Sequence, residues 1–90
     1  MQYITKEKRA FWFGGLDIIM DKLADNAPVN AGVINYLITE LLLFYIKTIG
    51  EDYEAYNTAI GILECVKQEL YRRAVAPYED KKIQENGDIY

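Results

Sequence analysis

Aromatic rings and fixed cations gather at one place in this sequence. Tyr71, Arg72 and Arg73 stand together, and Tyr78, Lys81 and Lys82 come just beyond Pro77. A guanidinium presents a planar, bidentate fork to phosphate or carboxylate, a lysine adds a mobile point charge, and a tyrosine ring offers a face on which a base can stack. Tyr71, Arg72, Arg73, Tyr78 and Lys81 are therefore the candidate binding residues, and an anionic, ring-bearing ligand is the chemistry they suit. If Pro77 turns the backbone directly after the arginine pair, Tyr78 and Lys81 return toward the preceding helix and complete the site, with a second chain closing it. The plainer alternative is ion pairing along a helix: Glu69 lies four residues before Arg73, and cations near a helix C-terminus are favoured by its dipole.

Other constellations offer less. The chain has no His and a single Cys, Cys65, so Ser-His and Cys-His catalysis, the usual zinc sites and intrachain disulfides are unsupported. Cys65 has no base to activate it and reads as packing. Glu79-Asp80-Lys81 has the acid and lysine spacing of metal-dependent nucleases, but no strand is in prospect to carry the further carboxylates, and a capped helix start explains it. Lys6, Lys8 and Arg9 precede Phe11, Trp12 and Phe13, which suits a first turn that docks its aromatics in a core better than a membrane anchor. Asn35 and Asn57 suit hydrogen bonds within or between helices. No catalytic residue, metal or cofactor is expected.

The elements that must position these residues are helical. Thr5 is a candidate N-cap for a helix reaching about Asp25, which bends or divides at Gly14-Gly15. A second helix from about Asn30 to Ile49, closed by Gly50, is apolar around most of its circumference. Glu51 or Asp52 caps a third, from about Tyr53 to Val75, with Ile60, Leu63, Val66, Leu70 and Ala74 as its inner seam and Pro77 as its stop. Asn57, Gly61 and Cys65 form a stripe of small side chains that would admit another helix. A short fourth helix begins at Pro77 and stops at Asn86-Gly87, leaving Asp88, Ile89 and Tyr90 as a tail expected to dock. The eight tyrosines divide by position: Tyr36, Tyr45, Tyr53 and Tyr56 suit half-buried packing, whereas Tyr71, Tyr78 and Tyr90 accompany cations.

Composition bounds the function. With 51% hydrophobic and 27% charged residues the 90-residue chain is globular, and no apolar run approaches the ~18 residues of a membrane span. The start, Met1 to Ile4, lacks a secretory signal, which predicts a cytoplasmic protein. A net charge of -4 argues against nonspecific binding to duplex nucleic acid. One domain this small has a thin stability margin, and the second helix needs more cover than two companions supply, so a homo-oligomer is expected.

The stretch from Leu63 to Tyr90 includes Leu63-Glu64-Cys65, Tyr71-Arg72-Arg73, Val75-Ala76-Pro77-Tyr78-Glu79-Asp80-Lys81-Lys82-Ile83 and Glu85-Asn86-Gly87-Asp88. It resembles a family of small uncharacterised proteins encoded by tailed bacteriophages and prophages. Tyr3-Ile4, Asn35-Tyr36-Leu37-Ile38-Thr39, Asn57 and Gly61 also fit the family pattern, which the segment from Phe11 to Asp25 leaves. The resemblance implies a phage or prophage setting and carries over no activity and no catalytic residue.

The expectation is thus an all-α single domain over 1–90: a small bundle on a long antiparallel hairpin, with a C-terminal docking segment at 77–90, assembled with its own copies. The functional expectation is a nonenzymatic phage accessory protein that counters host immunity by sequestering a nucleotide-derived signal between protomers. The alternative is an oligomeric module that binds and redirects a host protein.

Overall fold

The computed structural model describes residues 3–90 and is all-α over them. Met1 and Gln2, which open the segment read as lacking a secretory signal, lie outside the described residues. The chain divides into two compact units, Met1–Thr48 and Ile49–Tyr90.

In the first unit, α1 runs from Lys6 to Asp25. Thr5 caps it: the Lys8 amide donates to Thr5 Oγ1 at 3.3 Å, satisfying one of the amides that a helix start leaves without a carbonyl. The helix continues unbroken through Gly14 and Gly15, so the glycines do not divide it into two. At its end the Asn26 side chain donates to the Lys22 carbonyl at 2.9 Å. The aromatics of α1 depart from expectation. Phe11, Trp12 and Phe13 are exposed, with Phe11 and Trp12 meeting edge to face at 5.2 Å between ring centroids, and no core receives them among the described residues.

Helix α2 spans Ala31–Ile49. Asn30 Oδ1 accepts from the Val33 amide at 3.1 Å, and Gly50, at φ 102°, supplies the left-handed residue that ends it. Asn35 is engaged inside this helix, where Thr39 Oγ1 donates to the Asn35 carbonyl at 2.7 Å and lies 3.5 Å from its side-chain oxygen. By length and composition α2 is apolar enough to cross a membrane, with a mean hydropathy of 1.4, which a count of uninterrupted apolar runs misses. Its charges are Glu40 and Lys47, and Glu40 is at the midpoint of the helix, where a bilayer would be least tolerant of a carboxylate.

The second unit is one long helix with a wide turn in it. Asp52 caps α3, Tyr53–Leu70, by accepting the Ala55 amide at 2.8 Å. A π-helical turn, Tyr71–Val75, leads without a break into α4, Ala76–Asn86. The flanking residues Leu70, Val75 and Ala76 all keep right-handed helical angles, so Pro77 neither stops the helix nor turns the chain back. The reason is local. In an α-helix the Pro77 ring would press on the Arg73 carbonyl and the missing N–H would leave it unbonded. A wider turn, in which the Ala76 amide donates to the Tyr71 carbonyl, moves that carbonyl aside, and proline then occupies the first turn of α4, where its amide is not needed. Gly87, at φ 87°, ends α4 and donates its amide to the Ile83 carbonyl at 2.8 Å.

Little of this is buried in a single chain. Among the described residues just Ile46, Ala55 and Ala59 are buried, at 7%, 2% and 4% exposure. The side of α3 with most cover carries Ala55, Ala59, Ile62 and Cys65. The residues expected as the inner seam are not covered: Ile60, Leu63, Val66 and Leu70 are exposed. Tyr36, Tyr53 and Tyr56 are likewise exposed, not half-buried. A Cβ built on Gly61, in the small-residue stripe, meets nothing within 4 Å. In the tail Ile89 is 93% exposed, and the Tyr90 amide donates to Asp88 Oδ1 at 2.9 Å.

Candidate functional site

The five candidate residues fall on the π turn and the helix after it. Tyr71, Arg72 and Arg73 belong to the turn, and Tyr78 and Lys81 to α4. The return of Tyr78 and Lys81 toward α3 does not occur, because the chain stays helical through Pro77. In an unbroken α-helix Tyr71 and Tyr78 would lie within about 20° of each other. The π turn inserts the equivalent of one residue and rotates α4 by about 100° relative to α3. That rotation brings Tyr78 and Lys81 to within about 40° of Arg73 around the helix, while Tyr71 and Arg72 face other directions.

Their partners are local. Arg72 makes a two-pronged contact with Glu69, Nε donating to Oε1 at 3.0 Å and Nη2 to Oε2 at 2.9 Å. Arg73 Nη1 stands 4.0 Å from the same carboxylate. The sequence pointed to the pairing four residues apart, and the structure favours the one three apart. Both pairs are exposed, where such contacts contribute little to stability. Sequence reasoning left out Lys82 as the cation at Tyr78, although i, i+4 spacing was the available signal: its Nζ is 5.6 Å from the Tyr78 ring centroid and 3.0 Å from Glu85 Oε2. Nearer the middle of α3, hydrogen bonds from Lys67 and then Gln68, with the Lys67 charge, hold the Glu64 carboxyl below its ordinary range.

A second place was not legible in the sequence. Where α1 hands over to α2 the two helices diverge, and a groove of about 590 Å³ opens between them. Ile19, Leu23, Val33 and Leu37 make its walls, and Lys22, Asn26, Asn30 and Tyr36 bring a cation, two amides and a ring to it. The amides are half-used: Asn26 spends its Nδ2 on the Lys22 carbonyl and Asn30 its Oδ1 on the Val33 amide. That leaves one acceptor, Asn26 Oδ1, and one donor, Asn30 Nδ2, for a ligand. The volume falls within the range of small-molecule sites. Among the described residues, no three His, Cys, Asp or Glu side chains gather to hold a metal ion.

Residues 1–89 match the family described as Domain of unknown function (DUF6899). The chain belongs to this family. The match takes in α1, α2 and the whole of the interrupted helix, so both the groove and the π turn lie within the DUF6899 domain. No curated protein and no solved structure matches the chain.

Proposed function

We propose that this DUF6899 protein is a nonenzymatic accessory protein of a bacteriophage or prophage, acting as a homo-oligomer in the host cytoplasm. In this reading it counters host immunity by sequestering a nucleotide-derived signalling molecule in pockets that two protomers complete. The observation that carries the reading is the groove between α1 and α2. There Lys22 offers a cation to phosphate, Tyr36 a ring to stack, and Asn30 and Asn26 a donor and an acceptor to a base edge, over apolar walls. The exposed Arg73, Tyr71 and Lys81 supply further groups for an anion from a second chain's side. The phage setting rests on the C-terminal resemblance.

The alternative is an oligomeric module that binds and redirects a host protein. The contact between Arg72 and Glu69 favours it, since that guanidinium is already engaged by a carboxylate and the large exposed apolar side chains of α3 suit a protein partner. A thermal-shift panel of linear and cyclic nucleotides separates the two. A ligand at ~100 times its Kd stabilises the native state by about 2.7 kcal/mol. Lys22→Glu and Arg73→Glu should each weaken that shift while circular dichroism remains helical. A flat response across the panel refutes nucleotide sequestration and leaves the protein partner.

A further inference from the structure

We propose that α2 pairs with α2 of a second copy of this chain, antiparallel, along the seam Ile34, Leu37, Leu41, Phe44 and Thr48. These residues recur at alternating intervals of three and four, the a and d spacing by which one helix packs into another. The seam is open in the single chain, with Leu41 64% and Phe44 68% exposed. Its occupant is indicated by charge. Glu40 and Lys47, the charged residues of α2, both stand immediately before an a position, in the flanking register whose side chains reach across to the partner and set its orientation.

Among the described residues neither makes an ion pair. They are opposite in sign and seven residues apart. In an antiparallel pair this flank meets the same flank of the partner, so a two-fold axis near Leu43 sets each Glu40 against the other copy's Lys47, twice per interface. Leu41 and Phe44 of the two copies layer on each other at its centre. A parallel pair would set the same two charges against the opposite flank, occupied by Ile38 and Tyr45, and leave them unanswered. The face is thus complementary to itself, the requirement of a closed two-fold contact. A bilayer offers nothing to Glu40 at the helix midpoint. Leu37 belongs both to the seam and to the α1–α2 groove, so a copy seated on the seam borders the groove.

The inference rests on the homo-oligomeric part of the proposed function and names its face and direction. Light scattering and sedimentation of the full chain test assembly itself, and charge exchange tests the face. Glu40→Lys and Lys47→Glu should each raise the Kd of assembly about tenfold or more, and the double exchange should restore it to within about threefold. In a Cys65→Ser background, the chain carrying both Glu40→Cys and Lys47→Cys should oxidise to a covalent dimer, and neither single-cysteine chain should link to itself.

Assembly that is indifferent to all three charge variants overturns the seam while leaving oligomerisation intact. Self-linking by a single-cysteine chain overturns the antiparallel direction. A monomer at every concentration overturns both the seam and the oligomeric reading. Recovery of the chain only in lipid vesicles or detergent overturns them in favour of α2 spanning a bilayer.

Discussion

Gly14 and Gly15 interrupt no hydrogen bond of α1, and a Cβ built on either meets nothing within 4 Å. Both keep φ out of the left-handed region. Each therefore carries the entropic cost of glycine in a helix without returning a close contact, about 0.8–1.0 kcal/mol relative to alanine. The variant Gly14→Ala/Gly15→Ala should gain roughly 2 kcal/mol, which for a domain of this size raises Tm by about 8–16 °C. Gly32→Ala is the contrast. There a Cβ would come within 3.0 Å of Asn30 Oδ1, the oxygen that caps α2, so the propensity gain is offset by strain on a cap worth about 1 kcal/mol.

The assay is thermal unfolding monitored by circular dichroism at one protein concentration, since an assembling chain has a concentration-dependent Tm. A Tm that falls in the double variant would refute the reasoning. It would mean that a neighbouring protomer's backbone lies against α1 at the glycines. The single variants would then find it, because Gly14 and Gly15 face directions about 100° apart and one partner cannot press equally on both.

Two further outcomes concern the interrupted helix. Pro77→Ala restores an amide and removes the ring, so the π turn should relax toward α geometry and Tm should rise, by less than the ~3 kcal/mol that a mid-helix proline costs; an unchanged or lower Tm would show that something other than Pro77 holds the turn open. The Glu64 carboxyl is held below its ordinary value of 4.5 by Lys67 and Gln68, so its contribution is fully present above the unfolded pKa and is lost as pH falls through the lower folded value; a carboxyl titration by NMR that places its midpoint at or above the ordinary value would contradict the pairing.

The features legible in the sequence were those decided within a few residues. Thr5, Asn30 and Asp52 each accept an amide three residues on, and Gly50 and Gly87 each take the positive φ that ends a helix. Such signals need no tertiary context, so the helix starts and the chain's all-α class could be read directly. Pro77 shows where local rules divide. The rule that proline breaks a helix and the rule that proline begins one both applied, and the backbone satisfied both by widening the turn before it. The candidate residues Tyr71, Arg72 and Arg73 sit on that turn, so the same event that kept the helix whole also changed which sides they face.

The inner face of α3 was misread for a different reason. Periodicity identifies a seam of large apolar residues, but the position of that seam in the molecule depends on what packs there. Here Ala55 and Ala59 have the cover, and Ile60, Leu63 and Leu70 remain exposed. The α1–α2 groove was hidden for the same reason: it depends on the angle at which two helices leave a short connection, and no spacing of residues encodes an angle.

Exposure on this scale links stability to binding. Apolar residues make up about half of the chain, yet three of the described ones are buried, so the driving force that ordinarily folds a domain is here largely unspent within one molecule. In the oligomeric reading, contacts between copies supply it, which makes folding, assembly and any pocket at the boundary between copies parts of one equilibrium. A ligand held at that boundary would stabilise the assembled state over both the free protomer and the unfolded chain, so its thermal shift would vary with protein concentration. A ligand held wholly within one protomer, as in the α1–α2 groove without its neighbour, would leave assembly unmoved. The physical distinction between a sequestering oligomer and a monomeric binder thus lies in how the shift varies with protein concentration.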